Sequence, residues 1–199
     1  MPSSLSQNWK FFQAFLRSPR VVASVIPSSP VAVRRAVRAI DPQNARVVVE
    51  LGAGTGCMTR ALLEALPASS QLIVIERTAA FIPTLTAIDD PRLEVVHGCA
   101  SSIGTEVRRR GHEAADAVIS GIPFSTLPEA LAARIASEIH AVLAPGGRFV
   151  AYQFNKRVAE YARPLMGLPE VELVFRNVPP VRLFTWRKPD LKSPGFAPA

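Results

Sequence analysis

Two carboxylates and a run of glycines carry the first chemical signal in this chain. Glu50 precedes Gly52, Gly54 and Gly56 in the stretch ELGAGTG, and Glu76 closes the later apolar run LIVIE. Glycines at the end of a strand let a ligand approach the backbone, and the helix that follows offers its first N–H groups. The spacing narrows the ligand. A dinucleotide turn of the form G-x-G-x-x-G would carry its last glycine at position 57, which is Cys57, and the chain has no Gly-Lys-Ser/Thr ending for a phosphate loop. An acid at the end of the second strand suits the ribose hydroxyls of a nucleoside, which gives Glu76 that expected role.

Further candidates stand at the ends of later apolar runs. HGCA brings Cys99 and Ala100, DAVISGIPF brings Ser120, Gly121, Ile122, Pro123 and Phe124, and AYQFN brings Tyr152 and Asn155. The two cysteines, Cys57 and Cys99, make no ligand spacing with His97, His112 and His140, so no metal site is expected. No base stands at a set distance from Cys99 to make it a nucleophile, and the histidines read as structural or exposed.

These residues need elements to bring them together. Strands are expected near Val47–Leu51, Gln71–Glu76, Leu93–His97, Ala117–Ser120 and Arg148–Phe154, with helices starting near Gly56, Thr78, Ser101 and Pro128. The motif APGG at Ala144–Gly147 reads as the cap and turn that end the last of these helices. After a helical stretch around Val158–Met166, VELVFRNVPPVRLFTW reads as a closing hairpin with one antiparallel strand. The expected fold is therefore α/β: a doubly wound, Rossmann-like sheet, mostly parallel with an antiparallel last strand, preceded by N-terminal helices. Ser29 and Pro30 read as N-cap and first residue of the second of those helices.

Composition fits one globular domain: 199 residues, 48% hydrophobic and 20% charged. The net charge of +7 favours an acidic partner, either nucleic acid or an anionic membrane surface. Before Asp41 there is no acid, while Lys10, Arg17, Arg20, Arg34, Arg35 and Arg38 are all present. Leu5, Trp9, Phe12 and Leu16 recur there at helical spacing, flanked by Phe11 and Phe15. The two cysteines give no disulfide framework, so a reducing, cytoplasmic setting is expected. No apolar run reaches the roughly 20 residues of a membrane span, and MPSSLSQNWK lacks the order of a signal peptide, so a soluble or peripherally membrane-attached protein is expected. Three segments follow: an N-terminal helical segment over 1–40, a ligand-binding domain over 41–188 and a tail over 189–199.

The glycine motif with its preceding acid resembles the first motif of class I S-adenosylmethionine-dependent methyltransferases. The resemblance implies S-adenosylmethionine as cofactor and S-adenosylhomocysteine as product. Carried over by position, Glu50, Gly52, Gly54, Gly56, Glu76, Cys99, Ala100 and Ser120 would hold the cofactor, with Cys99 where the family often has an adenine-binding Asp. Gly121, Ile122, Pro123, Phe124 and Tyr152 would form the acceptor site.

Two families compete for the acceptor. GIPF resembles the last positions of the acceptor loop of rRNA adenine dimethylases, with Phe124 able to stack on a base, but Gly121 replaces the Asn that takes the exocyclic amine. The additional helical domain of that family is not expected either. FLRSPRVVASVIPSSPVAVRRAV, ELGAGTG, SGIPFSTLP, YQF and NVPPVRLFTW together resemble the bacterial soluble phosphatidylethanolamine N-methyltransferases over nearly the whole chain. That resemblance implies an amino-phospholipid acceptor and an anionic membrane partner contacted through residues 5–20 and nearby Arg and Lys, with nucleic acid less expected. An RNA or small-molecule methyltransferase would use the same core. A non-catalytic protein that binds the cofactor or a membrane would share it too.

Overall fold

A computed structural model describes residues 29–175 and 180–190. Its framework is a sheet of seven strands in the order β3-β2-β1-β4-β5-β7-β6. The strands are β1 Val47–Leu51, β2 Gln71–Glu76, β3 Leu93–His97, β4 Ala115–Ser120, β5 Leu143–Gln153, β6 Glu170–Val174 and β7 Val181–Arg187. β3, β2, β1, β4 and β5 pair in parallel, β7 runs antiparallel to β5, and β6 runs antiparallel to β7. All five residues of β1, Glu50 among them, are buried, as suits a central parallel strand covered on both faces.

Six helices accompany these strands among the described residues: α1 Pro30–Ala39, α2 Cys57–Ala65, α3 Ile82–Thr86, α4 Ile103–Arg109, α5 Glu129–Val142 and α6 Arg157–Met166. Alternate residues of each strand feed two cores. Val48, Val74, Ile119 and Val150 pack with α1 and α2 on one face, while Val49, Ile75, Val118 and Phe149 pack with α4, α5 and α6 on the other. β1 has β2 on one side and β4 on the other, so the winding reverses there and a crevice opens at the carboxyl ends of β1 and β4.

Helix α1 starts as its residues dictate: Ser29 Oγ accepts the Ala32 N–H at 3.2 Å, and Pro30 occupies the first turn. Ala32, Val33, Ala36, Val37 and Ile40 are buried in the same core as the sheet. The aromatic, basic stretch from Leu5 to Arg20 lies outside the described residues, as do residues 176–179 and 191–199.

One local expectation is corrected. Ala144–Gly147 does not end the helix as a cap and turn: α5 stops at Val142 and these residues lie inside β5. The strand bulges there, since its register against β4 shifts between Ala115 and Ala117 and Gly146 takes φ of +76°. The physical reason lies far along the chain. Gly146 N–H donates to the Lys188 carbonyl and Lys188 N–H to the Gly147 carbonyl, so the end of β7 supplies the ladder partners.

Candidate active site

Three backbone hydrogen bonds extend the sheet beyond its strand ends and gather the loops of the crevice. Gly52 N–H donates to Ile75 O, Gly98 N–H to Glu76 O and Gly121 N–H to Leu51 O, at 2.9, 3.0 and 2.9 Å. The glycine turn after β1 is thereby pinned between β2 and β4. At Gly52, with φ of +76°, a side chain would strain the backbone and press on the acceptor loop: a β-carbon there would stand 3.0 Å from Ile122 Cγ1. Gly54, by contrast, faces open space, with no atom within 4 Å of such a β-carbon. Gly56, at φ +80°, is the N-cap of α2 and abuts Leu85 and Ile88 rather than the crevice.

The two carboxylates behave differently. Glu50 is fully buried, its Oε2 accepting the Thr59 hydroxyl at 2.7 Å while Oε1 has no partner. Burial pushes its carboxyl up to about 8; the Thr59 bond opposes the rise and the neighbouring Glu76 adds to it. Glu76 ends β2 with both oxygens engaged, accepting the Gly54 N–H at 2.9 Å and the Thr78 N–H at 2.7 Å. It therefore ties the glycine turn to the loop after β2.

A cleft of about 330 Å³ lies over these groups. Gly52, Gly54, Glu76, Cys99 and Ala100 line it from the candidate cofactor set. Gly121, Ile122 and Pro123 line it from the acceptor loop. Glu50 and Ser120 sit beneath this surface at 0% exposure, with Ser120 Oγ accepting the Ile122 N–H at 3.3 Å. Phe124 does not face the cleft. At 1% exposure it packs in the core beneath α6, its ring 6.2 Å from that of Tyr161, so it offers no stacking surface to an acceptor. Tyr152 reaches the acceptor loop: its hydroxyl lies 2.3 Å from where a β-carbon on Gly121 would stand. Burial, with Glu50 nearby, holds its phenol far above the ordinary tyrosine range, so the group is neutral.

Cys99 accepts the Ser101 hydroxyl at 3.2 Å. Burial works to raise its thiol, but the Ser101 hydrogen bonds, Arg77 and Arg134 bring it below the ordinary value.

The structure adds residues that the motifs do not indicate. Phe81, Leu131 and Ile135 line the cleft, the last two one turn apart on α5, where only helical spacing hints at a shared face. Thr59 is joined to Glu50 and Gln153 to Ile122 by side-chain hydrogen bonds, and no sequence periodicity links either pair.

These groups fit S-adenosylmethionine. The turn leaves its backbone bare at Gly54, and the cleft wall combines apolar Ile75, Phe81 and Ile135 with the carboxylate of Glu76. The unpaired Glu50 oxygen leaves one hydrogen-bonding position open beneath the turn. Among the described residues, no helix is long and apolar enough to cross a membrane.

Comparison with known proteins agrees with this architecture. The model of a methyltransferase domain matches residues 48–147. An ornithine lipid N-methyltransferase from Singulisphaera acidiphila is 35% identical over 182 residues, covering 89% of this chain and 94% of that protein. A ribosomal RNA small subunit methyltransferase A from Laribacter hongkongensis is 30% identical over 116 residues, 58% of this chain but 38% of that protein. Among solved structures, the N-methyltransferase NodS from Bradyrhizobium japonicum WM9, in complex with S-adenosyl-L-homocysteine, superposes with a TM-score of 0.66 at 13% identity, over 92% of this chain and 98% of that one.

Proposed function

Since this chain belongs to the class I S-adenosylmethionine-dependent methyltransferases, we propose that it methylates the primary amine of an amino-lipid at a membrane surface. The observation that carries this reading is the crowding at Gly121. A β-carbon there would meet Tyr152 Oη at 2.3 Å and the Gly52 carbonyl oxygen at 3.0 Å, so the asparagine of the rRNA adenine dimethylase loop has no room. Two oxygens instead converge on the acceptor loop, and each can accept one N–H of a primary amine.

The bound cofactor supplies an electrophilic methyl group on a sulfonium. The chain supplies alignment and a dry wall. Ile122, Leu127 and Leu131 line the acceptor side of the cleft and keep water from the nucleophile. Tyr152, neutral at working pH, holds the amine without competing for its proton. The amine must arrive unprotonated, and an apolar pocket disfavours its ammonium form.

Near-full-length similarity to an ornithine lipid N-methyltransferase supports an amphipathic amine as acceptor. Phosphatidylethanolamine and ornithine lipids share that chemistry, a primary amine on a two-chain amphiphile. Residues 5–20 would bring the enzyme to the bilayer, with aromatic bulk for the headgroup region and Lys10, Arg17 and Arg20 for anionic lipid.

The test is methyl transfer from labelled cofactor into anionic vesicles containing either phosphatidylethanolamine or ornithine lipid. Label in the organic phase is expected, and its ratio between the two vesicles assigns the headgroup. Absence of label from both, with S-adenosylhomocysteine still bound by calorimetry, would sink the lipid reading. Deletion of residues 1–18 should abolish transfer to vesicles while sparing transfer to detergent-dispersed lipid.

A further inference from the structure

We propose that Gln153 is a positioning residue for methyl transfer, holding the acceptor loop against the cofactor turn through the Ile122 carbonyl. The inference rests on the amine-methylating reading above and assigns it a part that no motif indicates. Gln153 ends β5 on the face that carries Phe149 and Ala151, both wholly buried, and is itself only 5% exposed. An apolar residue would suit that place. Instead, Gln153 Nε2 donates to the Ile122 carbonyl at 2.6 Å, while its Oε1 is buried with no partner. A half-satisfied buried carboxamide destabilises a fold, so its presence here points to work done by the satisfied half.

That work is legible in what Ile122 touches. Its N–H donates to Ser120 Oγ at 3.3 Å and its carbonyl is taken by Gln153, so the peptide groups on both sides of this residue are fixed by buried side chains. Its side chain meanwhile lies against Gly52, with Cγ1 3.0 Å from the place of a Gly52 β-carbon. Gln153 thus sets how closely the acceptor loop approaches the glycine turn, through one residue and without touching either ligand. Farther along, Asn155 Nδ2 donates to Ser125 Oγ at 2.8 Å, but that pair is exposed and holds only the outer part of the loop.

Displacement of an acceptor by a fraction of an ångström slows transfer without weakening the cofactor. Loss of the donor should therefore lower kcat while leaving cofactor affinity alone. A residue that merely supports the fold would act on stability instead.

Gln153→Met removes the donor and keeps the volume. Its kcat on the lipid vesicles is expected to fall about 10- to 100-fold, the order of effect of a small misplacement of the acceptor. The dissociation constant for S-adenosylhomocysteine should stay within about threefold, and Tm within about 3 °C, because an unpaired buried oxygen leaves with the carboxamide. Amide exchange over 121–127 should quicken at least ~10-fold while that of 52–56 is unchanged, reporting local opening of the loop alone.

Gln153→Glu adds a pH readout. Protonated, its carboxyl can donate to the Ile122 carbonyl; ionised, it cannot. The ratio of variant to wild-type kcat should be greatest at the acidic end of the profile and fall as the carboxyl ionises. Unchanged exchange and kcat in Gln153→Met, or cofactor affinity lost in step with kcat, would overturn the assignment. If no amino-lipid takes label, the exchange measurement still decides the role of Gln153, and that failure falls on the acceptor reading.

Discussion

The Tyr152 hydroxyl stands 2.3 Å from the point that a β-carbon on Gly121 would occupy, so the ring of one residue depends on the bareness of the other. The contact joins β5 to the loop after β4, and the Gly52 carbonyl, 3.0 Å from the same point, brings in the turn after β1. Gly121→Ala should therefore expel the Tyr152 ring and cut methyl transfer at least ~100-fold, since small misplacements at a reacting centre are that costly. Tyr152→Phe removes only the oxygen. Its kcat is expected to drop about 10- to 100-fold, with cofactor affinity within about threefold by calorimetry. Wild-type rates in Tyr152→Phe would remove the hydroxyl from the acceptor site.

Glu50 makes the stability of the ligand-free protein depend on pH. Its carboxyl is raised from 4.5 to about 8 in the folded chain, so between these values the unfolded state has lost a proton that the folded state keeps. Folding then takes up a proton. The contribution is fully present below the unfolded value and is lost as pH rises through the folded one. Urea unfolding should show stability falling by up to about 1.4 kcal/mol per pH unit within that window. In Glu50→Gln this component of the slope should vanish.

Glu76 is expected to act on affinity more than on rate. Its carboxylate fixes the Gly54 and Thr78 N–H groups, at 2.9 and 2.7 Å, and lines the cleft. Glu76→Ala should weaken S-adenosylhomocysteine binding by about 30-fold or more, as expected when charge-assisted hydrogen bonds are lost. Calorimetric titration of the variant measures this directly.

The cysteines provide a footprint of the cofactor. Cys99 lines the cleft with its thiol brought below the ordinary value, whereas Cys57 is exposed. Saturating S-adenosylhomocysteine should slow alkylation of Cys99 by at least ~10-fold and leave Cys57 much less affected, because only the covered thiolate is withdrawn from the reagent. Mass spectrometry of the two peptides reads both rates in one sample. Equal protection of both cysteines would place the cofactor differently.

The sequence by itself determined the sheet and the location of its cleft. The β-branched run VVV before ELGAGTG, within a series of alternating strand and helix signals, reads as a buried parallel strand, and bare backbone at its end marks the ligand side; both signals are spelled by neighbouring residues. The acids Glu50 and Glu76 were legible in the same way, as was the hairpin that becomes β6 and β7. Tertiary structure alone decided which neighbours each group meets. Phe124, four residues past Ser120, turns into the core under α6 instead of toward the acceptor. Ala144–Gly147 joins β5 because Lys188 reaches it from the end of β7. The Glu50–Thr59, Gln153–Ile122 and Tyr152–Gly121 pairs likewise arise where separate elements converge. Periodicity records which side of an element is apolar. It does not record which residue of another element packing will bring within 3 Å.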